Sequence, residues 1–268
     1  MSAIQAQAPL QKVSRETQES TAKLSSGQRI TRAADDAAGL AISEKLKAEI
    51  RSSKQANRNA NDGISLIQTA EGGLNESSSI LTRMRELAMQ AASDTLTDAD
   101  RGKSSLEYQA LKSELDRISK TTEFNGTKLL NGSGPTLDFQ VGVGSNNFED
   151  QISYNTGQMN SGLEALGVGS SMISTKFGAQ QSLSTIDSAI NKISGQRSVL
   201  GSLQNRLTSS SNNLYIYSEN MSASNSRIRD VDYAEETAKQ AKNSIISASG
   251  TAVLAQANTS GQGALKLL

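Results

Sequence analysis

The chain has 268 residues, with no cysteine, histidine or tryptophan, and its 27 basic and 27 acidic side chains balance to zero formal charge. Without Cys or His it lacks the usual thiol nucleophile, the commonest general acid–base and the commonest metal ligands, and a neutral chain with no basic stripe offers little to nucleic acid or to an anionic membrane surface. Aromatic residues at 3% and hydrophobic residues at 35% are too sparse for a thick globular core, but they suit thin seams between helices.

The opening run MSAIQAQAPLQKVSR has neither a charged start nor an apolar stretch, so no cleavable signal peptide is read there. Prolines stand only at Pro9 and Pro135, leaving long tracts in which nothing breaks a helix. Asp35 and Asp36 suggest paired-carboxylate chemistry, but a turn or helix start near Ala33–Gly39 accounts for them more simply, since acids favour a helix N-terminus.

Further on, Leu46, Ile67, Leu74 and Leu81 share one seven-residue stripe, with small Ser53, Ala60 and Ala88 filling its gaps. Ile80, Met84, Leu87 and Ala91 form a second set at i, i+4, i+7 and i+11. These patterns predict a long helical region, and Gly72-Gly73 is expected to interrupt it. Another helix is predicted from the cap Thr97 to near Lys120, with Asp98 and Asp100 in its first turn and Leu111, Leu115 and Ile118 on one face.

The middle of the chain changes character. Asn125-Gly126, Asn131-Gly132 and Gly134-Pro135 are turn signals. Leu137, Phe139, Val141 and Val143 alternate with other residues, and a second alternation follows at Phe148, Ile152 and Tyr154. This predicts a β-hairpin near 136–155. The run Gly142 to Ser145 is no phosphate loop, because no Lys-Ser/Thr and no helix follow as required. Residues 156–180, rich in Gly and Ser, read as a loop. Its hydroxyls through 175 offer sites for O-linked sugars, with an unmodified loop as the default.

The strongest pattern comes last. Ile186, Ile193, Leu200, Leu207, Leu214, Met221 and Ile228 are spaced by seven without a break. At ~1.5 Å per residue that stripe is about 63 Å long. Its companion position is apolar at Leu183 and Ile190, becomes Arg197 and Gln204, and passes to Leu203 and Tyr217 on the other flank. A drifting partner seam indicates packing among several helices more than a strict two-stranded zipper. Tyr215 and Tyr217, beside Ile216, are read as packing residues of this stem. The uncharged stretch Asn243–Leu265 is broken throughout by Ser, Thr, Asn, Gln and Gly, so it is not a membrane span.

The predicted fold class is therefore mainly α: an elongated antiparallel helical bundle or coiled coil drawn from both chain ends, with a small β-hairpin region mid-chain. Residues 231–268 hold too few large apolar side chains to fold alone, and Ile245, Ile246, Val253 and Leu254 need partners.

Several segments carry a family resemblance. LSSGQRITRAADDAAGLAIS (24–43), RNANDGISLIQTAEGGLNE (58–76), RMRELAMQAAS (83–93) and FNGTKLLNG (124–132) resemble the N-terminal part of bacterial flagellins. LGSLQNRL (200–207), SRIRDVDYAEE (226–236) and GTAVLAQAN (250–258) resemble the C-terminal part. The resemblance covers both ends and nearly the whole chain, with its motifs in order. Two departures stand out. The opening is about eight residues shorter than in the family, or about 12 Å of helix, and Gln28 sits where the family commonly has Leu.

The resemblance implies a non-enzymatic structural subunit without cofactor or bound metal. Such subunits are exported unfolded through the flagellar type III channel and polymerise into an extracellular filament for swimming motility. It implies a terminal coiled-coil domain (1–33 and 227–268) that folds on assembly, and a helical stem (34–226) bearing the hairpin. The outer variable domains of larger members are absent. The implied partners are further copies of itself, an export chaperone on the C-terminal segment, the filament cap and hook-junction proteins, and Toll-like receptor 5, with no nucleic acid and no membrane. Receptor-contact candidates by resemblance are Arg83, Leu87 and Glu107. Helix-seam and assembly candidates are the stripe from Ile186 to Ile228 with Ile245, Val253 and Leu254. Two other readings compete: a hook–filament junction protein, and a cytoplasmic chemoreceptor-type bundle, which would have longer heptads and no hairpin.

Overall fold

The computed structural model describes residues 2–265, with side chains over 7–257 and at 259. In chain order the elements are α1 (Ser2–Ser26), α2 (Ala37–Ala91), α3 (Asp98–Thr121), β1 (Glu123–Phe124), β2 (Thr127–Lys128), β3 (Thr136–Gln140), β4 (Gln151–Asn155), α4 (Leu163–Leu166), α5 (Lys176–Arg229) and α6 (Tyr233–Leu265). They form two compact units, one of residues 1–51 with 218–268 and one of residues 52–217.

The central unit, 52–217, holds the main core. Its parts of α2 and α5 run antiparallel, as the falling and rising numbers of their bonded pairs show. Ser53 Oγ donates to Leu214 O at 3.0 Å, Asn57 Nδ2 to Ser211 O at 2.8 Å, and Arg85 Nε to Asp187 Oδ1 at 2.6 Å. Between the two helices the predicted stripes meet. Ala60, Ile67, Leu74, Leu81 and Ala88 of α2 and Ile186, Ile193, Leu200 and Leu207 of α5 are buried in one cluster. The seven-residue spacing keeps each set on one face, so the apolar atoms leave water together at roughly 25 cal/mol per Å².

The glycine pair does not break α2, which runs unbroken from Ala37 to Ala91. The reason lies at Gly73, where an added Cβ would fall 2.7 Å from Leu130 Cδ1 and 2.8 Å from Thr122 Oγ1. This glycine admits a close approach of the segment after α3. The packing around it outweighs the helix propensity lost, about 1 kcal/mol per glycine.

The cap of α3 is as predicted: Thr97 Oγ1 accepts from Asp100 N at 3.3 Å. Arg101, one turn in, is buried against the end of α2. Its Nε donates to Ala91 O at 2.8 Å, its Nη2 to Ser93 O at 2.7 Å and its Nη1 to Asp98 Oδ1 at 2.7 Å. One guanidinium thus satisfies carbonyls that the end of α2 leaves without partners.

The hairpin pairs β3 with β4 in antiparallel register, Leu137 opposite Tyr154 and Phe139 opposite Ile152. Phe148 does not continue the second strand. It lies in the connecting loop and is 94% exposed. Asp150 holds that loop: its O accepts from Val141 N at 2.8 Å and Gly142 N at 2.9 Å, and its Oδ2 from Asn146 N at 3.0 Å. With Asp150 closing the turn, the β-ladder starts only at Gln151. Residues 156–180, read as loop, include a 3₁₀ turn at Thr156–Gln158, the single turn of α4 and the start of α5 at Lys176. Thr156 Oγ1 donates to Pro135 O at 2.6 Å, tying this segment to the hairpin base.

In the terminal unit, α1 packs against α6 and encloses Pro9 within its third turn. Asp35 and Asp36 occupy the turn before α2. Asp36 Oδ1 accepts from Gly39 N at 2.8 Å and caps that helix. Asp35 Oδ2 accepts from Thr31 N at 2.9 Å, Thr31 Oγ1 at 3.0 Å and Arg32 N at 3.0 Å.

Candidate assembly surfaces

The stripe on α5 divides by position. Ile186, Ile193, Leu200, Leu207 and Leu214 are buried in the central unit, whereas Met221 and Ile228, in the terminal unit, are half-buried. The first five are therefore core residues of the single chain. Tyr217 lines a groove with Val141, Asp150 and Leu214, but Tyr215 and Ile216 lie largely exposed, so the expected packing takes in only one of the three.

The helix breaks on either side of the terminal pair are tied together. Gln28 and Asp230 form an isolated antiparallel bridge, Val231 N donates to Gly27 O at 3.1 Å, and Arg29 Nη2 donates to Ile228 O at 2.8 Å. Arg229 gathers the surroundings: its Nε donates to Gln28 Oε1 at 3.1 Å, and its Nη1 pairs with the Glu44 carboxylate. That guanidinium holds the Glu44 carboxyl below its usual value. Gln28, a departure in sequence, thus has a defined role as an acceptor that Leu lacks.

Beyond this clasp the pair of α1 with α6 is thinly apolar. Val13 and Ser20 are the buried residues on the described face of α1, and Glu236 and Asn243 those on α6. Ser20 Oγ donates to Glu236 Oε1 at 2.6 Å, and Gln240 Nε2 to Thr21 Oγ1 at 3.1 Å. Meanwhile two large apolar side chains of α6, Ile245 and Val253, lie off the seam with α1. Ile245 is 70% exposed and Val253 57%, while Leu254 is half-buried. A helix that buries its polar residues and leaves its apolar ones in water lacks a partner on its second face.

The receptor-contact candidates lie in the central unit. Arg83 is exposed and pairs with Glu86 at 2.8 Å and Glu107 at 2.9 Å, and these hydrogen bonds hold its pKa above the usual value. Leu87, on the same helix, is buried in the core. Arg83 and Glu107 are thus brought together at the surface, and Leu87 is turned inward. Sequence reading missed Arg101, Arg229, Glu236, Asn243 and Gly250. For the last three the signal was polar and small residues at i, i+7 and i+14 on α6, which an apolar search passes over.

Comparison with known proteins covers the same regions. Residues 1–134 match the model of the bacterial flagellin N-terminal helical region, and residues 183–268 that of the C-terminal helical region. The chain is 45% identical to a flagellin of Halalkalibacterium halodurans, over 94% of this chain and 91% of that protein. It is 44% identical to a flagellar filament core protein of Brachyspira hyodysenteriae, over 100% of this chain and 98% of the other. A crystal structure of Bacillus cereus flagellin superposes with a TM-score of 0.53 at 32% identity, covering 59% of this chain and 88% of that one. A structure from Vibrio parahaemolyticus assigned as a flagellar hook-associated protein shares the fold at 16% identity, with a TM-score of 0.60 over 73% of this chain and 100% of that one.

Proposed function

The chain belongs to the bacterial flagellin family, and on that premise we propose how its parts divide the work of building a filament. It is a structural, non-enzymatic subunit of the extracellular flagellar filament, with a short middle region. The stem, residues 34–226, folds in the single chain around the seam of α2 with α5. The terminal segments, 1–33 and 227–268, order on assembly and form the polymerising end.

The observation that carries this reading is the exposure of Ile245 and Val253 on a helix whose α1-facing side is mostly polar or small. Ordering a residue costs about 1–2 kcal/mol of backbone entropy. Polar contacts with α1 return about 1 kcal/mol per hydrogen bond. The α1·α6 pair therefore needs further apolar burial, and neighbouring copies supply it by covering Ile245, Ile246, Val253 and Leu254. Before assembly the same uncovered surface is where an export chaperone binds; in the finished filament, cap and hook-junction proteins border the subunit ends. For Toll-like receptor 5 the contact falls to the exposed Arg83 and Glu107, while Leu87 serves the core.

Deleting residues 231–268 tests the division. The truncated chain is expected to remain soluble, keep the cooperative unfolding of the stem, and form no filaments when seeded and viewed by electron microscopy. Filaments grown from the truncated chain refute it.

A further inference from the structure

The seam between α1 and α6 raises a question of register. On α6 the residues at least partly covered along the seam are Glu236, Gln240, Asn243, Ser247, Gly250, Leu254 and Ala257, at i, i+4, i+7, i+11, i+14, i+18 and i+21. From Glu236 to Gly250 none is a large apolar side chain, and Leu254 is the one large apolar residue among the seven. Opposite them α1 offers Leu10, Val13, Thr17, Ser20 and Leu24. Apolar burial on such a seam discriminates weakly between alignments a heptad apart, because most of the α6 residues exchanged by a slide are small or polar. A coiled-coil seam of this kind keeps a unique alignment only through contacts that are wrong in every other alignment.

Two contacts have that property. The first is polar: Glu236 is buried, and its carboxyl accepts from Ser20 Oγ at 2.6 Å. A slide of one heptad toward the C-terminus of α6 puts Asn243 opposite Ser20 and leaves the Glu236 carboxyl without its donor. The second is steric: Leu10 packs over Gly250, where an added Cβ would lie 2.5 Å from Leu10 Cδ2. The same slide puts Ala257 against Leu10, and the reverse slide puts Asn243 there. Each brings a Cβ into a place that only glycine leaves open. The seam is not built for maximum stability, since the buried Asn243 Nδ2 makes no hydrogen bond among the described residues. A seam that gives up stability but has matched pairs at both ends is one selected for alignment.

We propose that Glu236 and Gly250 are the register-determining residues of the terminal helix pair: Glu236 through its hydrogen bond from Ser20, and Gly250 as the hole that receives Leu10. They act as positioning residues for assembly. A subunit whose α6 slides by a heptad shifts Ile245 and Val253 by about 10 Å along the axis, out of reach of the sites that the neighbours offer. The inference rests on the reading that this pair is formed in the filament.

The chain has no cysteine, so introduced pairs report alignment cleanly. Thr21→Cys with Gln240→Cys reads the observed register, and Thr21→Cys with Ser247→Cys reads the slid one. Each pair is placed in the full chain under polymerising conditions and scored for filaments by electron microscopy; filaments and unassembled subunits are then oxidised together, and the disulfide yield of the whole sample is measured. In the otherwise unaltered chain the first pair is expected to exceed the second about tenfold or more, the ratio set by one buried hydrogen bond and its unpaired alternative. Glu236→Leu, which adds apolar area to the seam, is expected to raise the slid yield to within about threefold of the observed one, whereas Glu236→Gln, which keeps an acceptor for Ser20, is expected to hold the ratio. Gly250→Ala is expected to lower the in-register yield, and adding Leu10→Ala to restore it. If Glu236→Leu does not assemble, the Gly250 and Leu10 arm decides alone. Glu236→Leu with an unchanged ratio overturns the role of Glu236. Gly250→Ala without loss, or loss without rescue by Leu10→Ala, overturns the role of Gly250. Filaments in which neither cysteine pair closes overturn the pairing itself, which separates that failure from failure of the register inference.

Discussion

Gly72 and Gly73 are neighbours in α2 with opposite surroundings, and replacing each with alanine separates helix propensity from packing. At Gly72 an added Cβ meets nothing within 4 Å, whereas at Gly73 it lies 2.7 Å from Leu130 Cδ1 and 2.8 Å from Thr122 Oγ1. Neither neighbour of Gly73 yields easily: Leu130 is fully buried, and Thr122 Oγ1 donates to Ile118 O at 2.8 Å. Both substitutions gain about 1 kcal/mol of helix propensity. Gly73→Ala also incurs the overpacking cost of an inserted methyl, typically ~1–3 kcal/mol. Gly72→Ala is therefore expected to stabilise the central unit by about 1 kcal/mol, and Gly73→Ala to destabilise it by up to about 2 kcal/mol. The propensity gain cancels in the difference, which isolates the close approach. Urea unfolding followed by far-ultraviolet circular dichroism reads it as a gap of about 0.5–1.5 M between the two midpoints, for a slope near 2 kcal/mol/M. Equal midpoints would refute the claim that α2 stays helical here because packing requires glycine at one of the two positions.

Asp35 and Tyr154 give predictions of pH dependence with opposite signs. The Arg32 amide, then the Thr31 amide and hydroxyl, lower the Asp35 pKa below its ordinary value of 3.8. Its contribution is present in full above 3.8 and is lost as pH falls through the lower folded value, so hydrogen exchange at the Thr31 and Arg32 amides is expected to quicken in that acid range, and Asp35→Asn is expected to remove the transition. Burial raises the Tyr154 pKa to about 12, against an ordinary 10.0. The folded chain then keeps a proton that the unfolded chain releases, so stability is full below 10.0 and falls as pH rises through about 12; in Tyr154→Phe that alkaline loss is expected to shrink, as read by unfolding midpoints across the range.

How much of this was legible in the sequence depended on which interaction did the work. The α5 stripe was plain because large apolar residues repeat at one period over many turns, and the structure buries its first five members. The cap at Thr97 was plain because capping is local, settled within four residues. Gly72-Gly73 misled because the packing that holds the helix comes from Leu130 and Thr122, far along the chain. Phe148 misled because alternation was followed past the point where the Asp150 carboxylate closes the turn. Arg101 was invisible for a related reason: a charged side chain on an amphipathic helix reads as solvated, and only the end of α2 beside it turns it into a cap. On α6 the search was for apolar periodicity, while the residues from Glu236 to Gly250 that face α1 are polar or small.

That contrast bears on how one chain serves as both a stable stem and a polymer end. If α6 carried a seam like that of α5, it would close firmly on α1 or on itself in the free subunit. Each large side chain buried there would add about 1.5–3 kcal/mol to a premature structure. With Glu236, Asn243 and Gly250 on the seam instead, the pair is aligned by a hydrogen bond and a hole but is only weakly held, and the apolar area stays on the outer face at Ile245 and Val253. Stability then comes with assembly, since burying the outer face needs a second copy. A substitution that strengthens the α1·α6 seam should for this reason hinder growth as surely as one that removes Ile245.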